Sequence, residues 1–209
     1  DILCADNDFR KHFSAARFVR VRPGEATMQP TPAQLITLPL PRLPTRRDLA
    51  RWLGLSDNDL DWFAGLDRRV PSRIDRKINH YCYEWRERSG GYPRLLEKPK
   101  SHLKALQKDI LANILNRVPV HDNTHGFRRH RSCRTSAEPH VGCDVLLRMD
   151  LQDFFTSVTR ARVEGVFRMI GYPQSVAACL AGICTHRTAL HACGDMLEAL
   201  PITMRQRLM

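Results

Sequence analysis

Apolar residues in segment 101–118 fall at Leu103, Leu106, Ile110 and Ile114, flanked by Leu111, Leu115 and Val118, with Lys104 and Lys108 on the opposite side. Steps of three and four predict a helix with one continuous apolar face, opened by Ser101 as its cap. Upstream the period changes. Across 80–96 two aromatic-rich runs flank Ser89, Gly90 and Gly91, the pattern of a β-hairpin that Pro99 closes. Earlier still, Thr45 and Asp48 have capping-box spacing, Leu49, Trp52 and Leu53 share a face, and Gly54 fits the stop. Ser56 caps a second short helix carrying Leu60 and Phe63, so the pair reads as a small helical cap or docking element.

After the polar loop HDNTHGFRRHRS the pattern predicts a short helix over 133–140 and a buried apolar strand over 145–149. A helix follows, capped by Thr159 or Ser157 and stopped at Gly171, and Ser175 caps another. Residues 1–44 include the proline-rich MQPTPAQLITLPLPRLP and read as an extended linker or strap. The order predicts an α+β chain in three parts: a linker and helical extension (1–67), a basic middle (68–143) and a strand-and-helix unit (144–209).

Charge changes the picture. Between 68 and 134 there are 17 Lys or Arg against 6 Asp or Glu, an excess equal to the whole chain's +11. A local field of that size favours a polyanion, and nucleic acid is the commonest one. A solvated basic surface is the bland alternative. Apolar residues make up 43% of the chain, ordinary for a protein with a core, and no stretch approaches the roughly 18 apolar residues of a membrane span. No leader pattern opens the chain, so no membrane partner and a cytoplasmic location are expected. Seven cysteines without a CxxC pair argue against a disulfide framework and for reduced, mostly buried thiols. The chain starts without Met and stops at RQRLM, which reads as a piece of something longer.

The chemistry concentrates in LLRMDLQDFFTSV, where Asp150 and Asp153 precede Phe154 and Phe155. Two partly solvated carboxylates about 4 Å apart repel by roughly 4 kcal/mol, and a divalent cation offsets that. The competing reading makes Asp153 a helix cap, Asp150 a strand-end turn residue, and one of the two phenylalanines plain core. Cys184, His186, His191 and Cys193, or His121, His125 and Cys133, are zinc candidates whose spacings match no familiar finger.

RMDLQDFFTSV resembles the first palm motif of bacterial reverse transcriptases of the retron and group II intron type. Upstream, GGYPRLLEKPKSHLKALQKDILANIL resembles their fingers segment, and THGFRRHRSCRTSAEPH their HGF segment, which carries Gly where this chain has His130. Downstream, RVEGVFRMIGYPQSVAACLAGICT is similar to the helices after the aspartate motif. The resemblance covers about residues 83–187 and implies a right-hand architecture: fingers over 68–143 and the start of a palm over 144–209.

It implies an RNA-directed DNA polymerase extending a primer 3′ end with dNTPs on an RNA template, using two Mg²⁺, or Mn²⁺ in their place. Asp150 would hold metal, completed by the carbonyl of Leu151. Asp153 and Phe154 would meet the triphosphate through main-chain N–H groups, Phe155 would exclude the 2′-hydroxyl, and Arg94 would clamp phosphates. Template contacts would come from Arg86 or Arg88, from Lys98 and Lys104, and from His125, Gly126, Phe127, Arg128 and Arg131. A cognate structured non-coding RNA and a role in antiviral defence also fall within the family's range. The 209 residues contain no Y-x-D-D, the motif that brings the partner carboxylates, so this stretch alone is expected not to polymerise. The alternative function is non-catalytic RNA binding by a truncated or degenerate relative, and both readings predict binding that weakens steeply with salt.

Overall fold

The computed structural model describes residues 38–66, 80–88, 91–151 and 154–188. Helix α1 (Arg46–Leu53) begins with a full capping box, Thr45 accepting from the Asp48 N–H and Asp48 reaching back to the Thr45 N–H. Gly54 ends it at φ 67°, a left-handed turn that glycine adopts without strain. Ser56 caps α2 (Asp57–Phe63). Strands β1 (Tyr81–Arg88) and β2 (Gly91–Pro99) pair antiparallel as the hairpin the alternation predicts. Helix α3 (Ser101–Asn113) follows, then a 3-10 turn over Leu115–Arg117. A short α4 (Cys133–Ala137) continues into a 3-10 turn over Glu138–His140. The described chain ends with α5 (Phe154–Ser157), α6 (Arg160–Ile170) and α7 (Gln174–Cys184).

One core joins these pieces, and α7 lies at its centre. Its sequence SVAACLAGIC is apolar nearly all round, which suits a helix covered on every side. Val176, Ala177, Cys179, Leu180, Ala181 and Ile183 are all buried, against α1, α2, α3 and α6. Leu49 from α1, Leu60 and Phe63 from α2, Leu103, Leu106 and Ile110 from α3, and Phe167 and Ile170 from α6 complete the cluster. Each fully buried side chain of this size contributes about 1.5–3 kcal/mol. The first two helices are therefore part of the core, not a cap set on its surface.

The chain backbones meet closely where α7 passes the end of α2. A Cβ on Gly182 would fall 2.0 Å from the Ala64 carbonyl oxygen, so only glycine fits. Arg160, in the first turn of α6, fills the same junction, its Nη2 donating to the carbonyls of Ala64 (3.0 Å) and Ala178 (3.1 Å).

Several local expectations are corrected. Residues 145–149 form no strand: Val145, Leu146, Leu147 and Met149 are 66–86% exposed, and no neighbouring strand pairs with them among the described residues. A strand is stable only when paired and packed, so apolar character alone does not make one. Ser101 and Ser175 sit inside their helices, whose N-caps are Lys100 and Pro173, neither with a side-chain cap bond. The α3 helix stops at Asn113, five residues before the run of apolar positions ends at Val118, and Leu111 is exposed. Cys82, Cys133 and Cys143 are exposed thiols, and of the five described cysteines Cys179 is buried and Cys184 half-buried. Both Phe154 and Phe155 are exposed, at 49% and 70%, so neither is core. Residues 1–37 of the linker predicted over 1–44, and the zinc candidates His191 and Cys193, lie outside the described residues.

Candidate functional site

The two faces of the hairpin divide its labour. Register places Cys82 opposite Lys98, Glu84 opposite Leu96 and Arg86 opposite Arg94, so these share one face, while Tyr81, Tyr83 and Trp85 share the other. A register shift between Arg86 and Arg88 settles which arginine faces Arg94: it is Arg86. Two cations directly opposite repel. Glu84 offsets part of this, bound by Lys98 and, at 3.4 Å, by Arg86, and these donors hold its carboxyl below the usual range. Arg94 is exposed and has no ion pair among the described residues. Arg86, Arg94 and Lys98 around the single carboxylate of Glu84 leave a net charge of two, suited to an anion with several oxygens such as a phosphate chain. The side chain of Arg88 lies outside the described set.

The aromatic face is latched to the end of α7. The His186 ring stacks on Tyr81 with centroids 3.9 Å apart, and its Nε2 lies 2.6 Å from the Tyr83 hydroxyl. Burial pushes the His186 pKa down to about 4, and this outweighs the Glu97 carboxylate 3.6 Å away, so the ring is neutral near pH 7. Thr188 donates to Glu97 (2.8 Å), and Gln107 on α3 donates to the Ile183 carbonyl (2.9 Å) and the Tyr81 hydroxyl (3.3 Å). Sequence patterning marks His186 only as a zinc candidate; nothing local announces a partner 103 residues upstream.

The loop between the 3-10 turn and α4 carries the HGF residues. The imidazole Nδ1 of His125 lies 3.0 Å from the Thr135 hydroxyl. Arg128 turns back on its own chain, donating to the Leu115 and Val118 carbonyls at 3.5 and 3.3 Å. Arg131 lies 3.9 Å from Asp122, and Gly126 is exposed. Between the two anchors Phe127 stands 92% exposed, with its ring edge-on to Phe155 at 6.0 Å. Phe155 also meets Phe154 at 5.5 Å. Two motifs separated in sequence thus share one surface.

Asp150 and Leu151 are both exposed on an irregular stretch leading to that surface, and Asp153 lies outside the described residues. Among the described residues no group of three or more His, Cys, Asp or Glu is arranged to hold a metal. A carboxylate and a carbonyl are hard oxygen donors of the kind Mg²⁺ accepts, and Mg²⁺ completes its shell with water and phosphate. They fit as two members of a larger set. Lys98 is engaged with Glu84, and Lys104 is exposed on α3.

No family model matches the chain. The curated proteins it resembles are reverse transcriptases. The chain is 42% identical to the retron Mx65 reverse transcriptase of Myxococcus xanthus over 178 residues, which is 84% of this chain and 40% of that protein. It is 38% identical to the retron Mx162 enzyme of the same organism over 76% of this chain and 32% of that protein. With the retron Ec86 reverse transcriptase of Escherichia coli it shares 38% identity over 46% of its length and 30% of the relative's. The class is therefore that of reverse-transcriptase chains. Within it, the chain belongs to the retron type and spans well under half the length of these relatives. No helix among the described residues is long and apolar enough to cross a membrane.

Proposed function

We propose that the chain supplies the fingers and the opening of the palm of an RNA-directed DNA polymerase, in which nucleotidyl transfer from a dNTP to a primer 3′ end is directed by an RNA template. The observation that carries this reading is the meeting of Phe127, from the HGF segment, with Phe155, from the aspartate motif, 6.0 Å apart on an exposed surface. The kinship with retron reverse transcriptases supports it.

Phosphoryl transfer needs its charge neutralised and its nucleophile aligned. Asp150 and the Leu151 carbonyl would hold Mg²⁺, or Mn²⁺, which when bound offsets the charge of the phosphates. Arg94, with Arg86 opposite, grips the triphosphate, and main-chain N–H groups at Asp153 and Phe154 donate to it. Phe155 lies against the sugar, where a ring rejects a 2′-hydroxyl by contact alone. Lys98, Lys104 and the loop from His125 to Arg131 face the template, and Arg128 serves by holding that loop in place. A structured non-coding RNA and a cytoplasmic setting accord with this role.

In the full-length polymerase, Asp150→Asn is expected to abolish primer extension on an RNA template and to leave RNA affinity unchanged. Extension at or near the wild-type rate would refute the assignment of Asp150. RNA binding by a full-length wild type that never extends a primer would favour a non-catalytic RNA-binding protein.

A further inference from the structure

We propose that Phe127 is a specificity-determining residue: its ring fixes the stance of Phe155 and so sets how strictly a ribonucleotide is refused. This rests on the reading of Phe155 as the ring that meets the sugar.

Phe127 is unusual on two counts. Its φ is 56°, a left-handed conformation that costs a bulky residue about 1–2 kcal/mol. Its ring is 92% exposed, so burial does not offset the strain. A strained, solvent-facing phenylalanine persists where its surroundings dictate the geometry, and such sites cluster where function requires them. Here the dictating contacts are visible on both sides: His125 is tied to Thr135 on α4, and Arg128 is tied to the carbonyls of Leu115 and Val118. The chain between these anchors has little choice but to hold the ring out. What the ring meets is Phe155, edge to face at 6.0 Å and 76°.

Phe155 needs such a neighbour. It is 70% exposed, so no core fixes its rotamer. A steric gate works only while the ring stays in place, because one step about χ1 would carry it clear of the sugar. Phe154 also touches it, at 5.5 Å, but Phe154 is the adjacent residue on the same one-turn helix and moves with it. Phe127 comes from a separately anchored loop. It is the ring contact, among the described residues, that ties Phe155 to the rest of the fold.

The test is primer extension by the full-length polymerase with competing dNTP and rNTP, reading the ratio of their incorporation. Phe127→Leu should raise relative ribonucleotide incorporation about fivefold, the scale of one lost ring contact, while Phe127→Tyr should keep the wild-type ratio. Phe127→Gly removes the ring and relieves the backbone strain, so it should fold and show the same rise. In a Phe155→Ala background, where the gate is already gone, Phe127→Leu should add nothing. An unchanged ratio in both Phe127→Leu and Phe127→Gly would overturn the proposal alone. A rise that persists undiminished in the Phe155→Ala background would overturn it too. A wild type that incorporates no dNTP would remove the polymerase reading and this proposal together.

Discussion

His130 adopts φ 62°, a left-handed conformation, at the position where the resembling family carries glycine. An L side chain pays about 1–2 kcal/mol there, while glycine loses somewhat more chain entropy on folding. The first effect is the larger. His130→Gly should therefore stabilise the chain by up to about 1 kcal/mol in urea unfolding, and a loss of stability would show that the His130 side chain makes a contact worth more than the strain. The residue scale is also where the sequence is easiest to read. Thr45, Ser56 and Thr159 cap their helices as their spacing predicts, because a cap depends on three or four consecutive residues. Ser101 and Ser175 mislead for the same local reason: extended backbone at Lys100 and Pro173 starts each helix one or two residues early.

Between elements, the fold turns on the junction where α7 crosses the end of α2. Gly182 lets the backbones meet, and Arg160 Nη2 bridges the Ala64 and Ala178 carbonyls beside it. Neither residue stands out in the chain, since a glycine inside a helical pattern and an arginine in a first turn are ordinary until their neighbours are known. Gly182→Ala forces a methyl group against the Ala64 oxygen and must push the helices apart. The expected cost is about 3 kcal/mol, the upper end of overpacking penalties, measured by denaturant unfolding. A change within about 0.5 kcal/mol, ordinary for a surface substitution, would mean that the crossing is not a tight one. The same scale explains the failure over 145–149. Helices are closed by their own hydrogen bonds, whereas a strand exists only in a pair, so its apolar run carries half the information needed.

For the molecule as a whole, the latch of His186 on Tyr81 and Tyr83 joins the hairpin to the helical core and makes the fold acid-sensitive. The folded His186 pKa is lowered to about 4, while the unfolded chain takes up its proton near 6.5. Between those values the unfolded state holds more protons, so stability is full above about pH 6.5 and falls as pH drops toward 4. His80, also lowered chiefly by burial, acts in the same direction. Wild type should lose more stability between pH 7 and 4.5 than His186→Gln, which cannot titrate. Equal losses would mean that the ring is solvated. Much of the site can be read from the residues: the aspartate motif, the HGF loop and the arginines all stand out in sequence. Their partnerships do not, because the contact of Phe127 with Phe155, the pairing of Arg86 with Arg94 and the latch are set by the tertiary fold.

The exposed run 141–151 carries a consequence for how Asp150 is supported. Its backbone belongs to no helix or sheet, whereas Ile110, Val176 and Leu180 lie at the centre of the core. Amide protons over 144–151 should exchange with solvent almost as fast as in a peptide, and those of α7 only when the whole domain opens. The carboxylate is thus fastened to the rigid body chiefly downstream, where Thr159 and Arg160 begin α6.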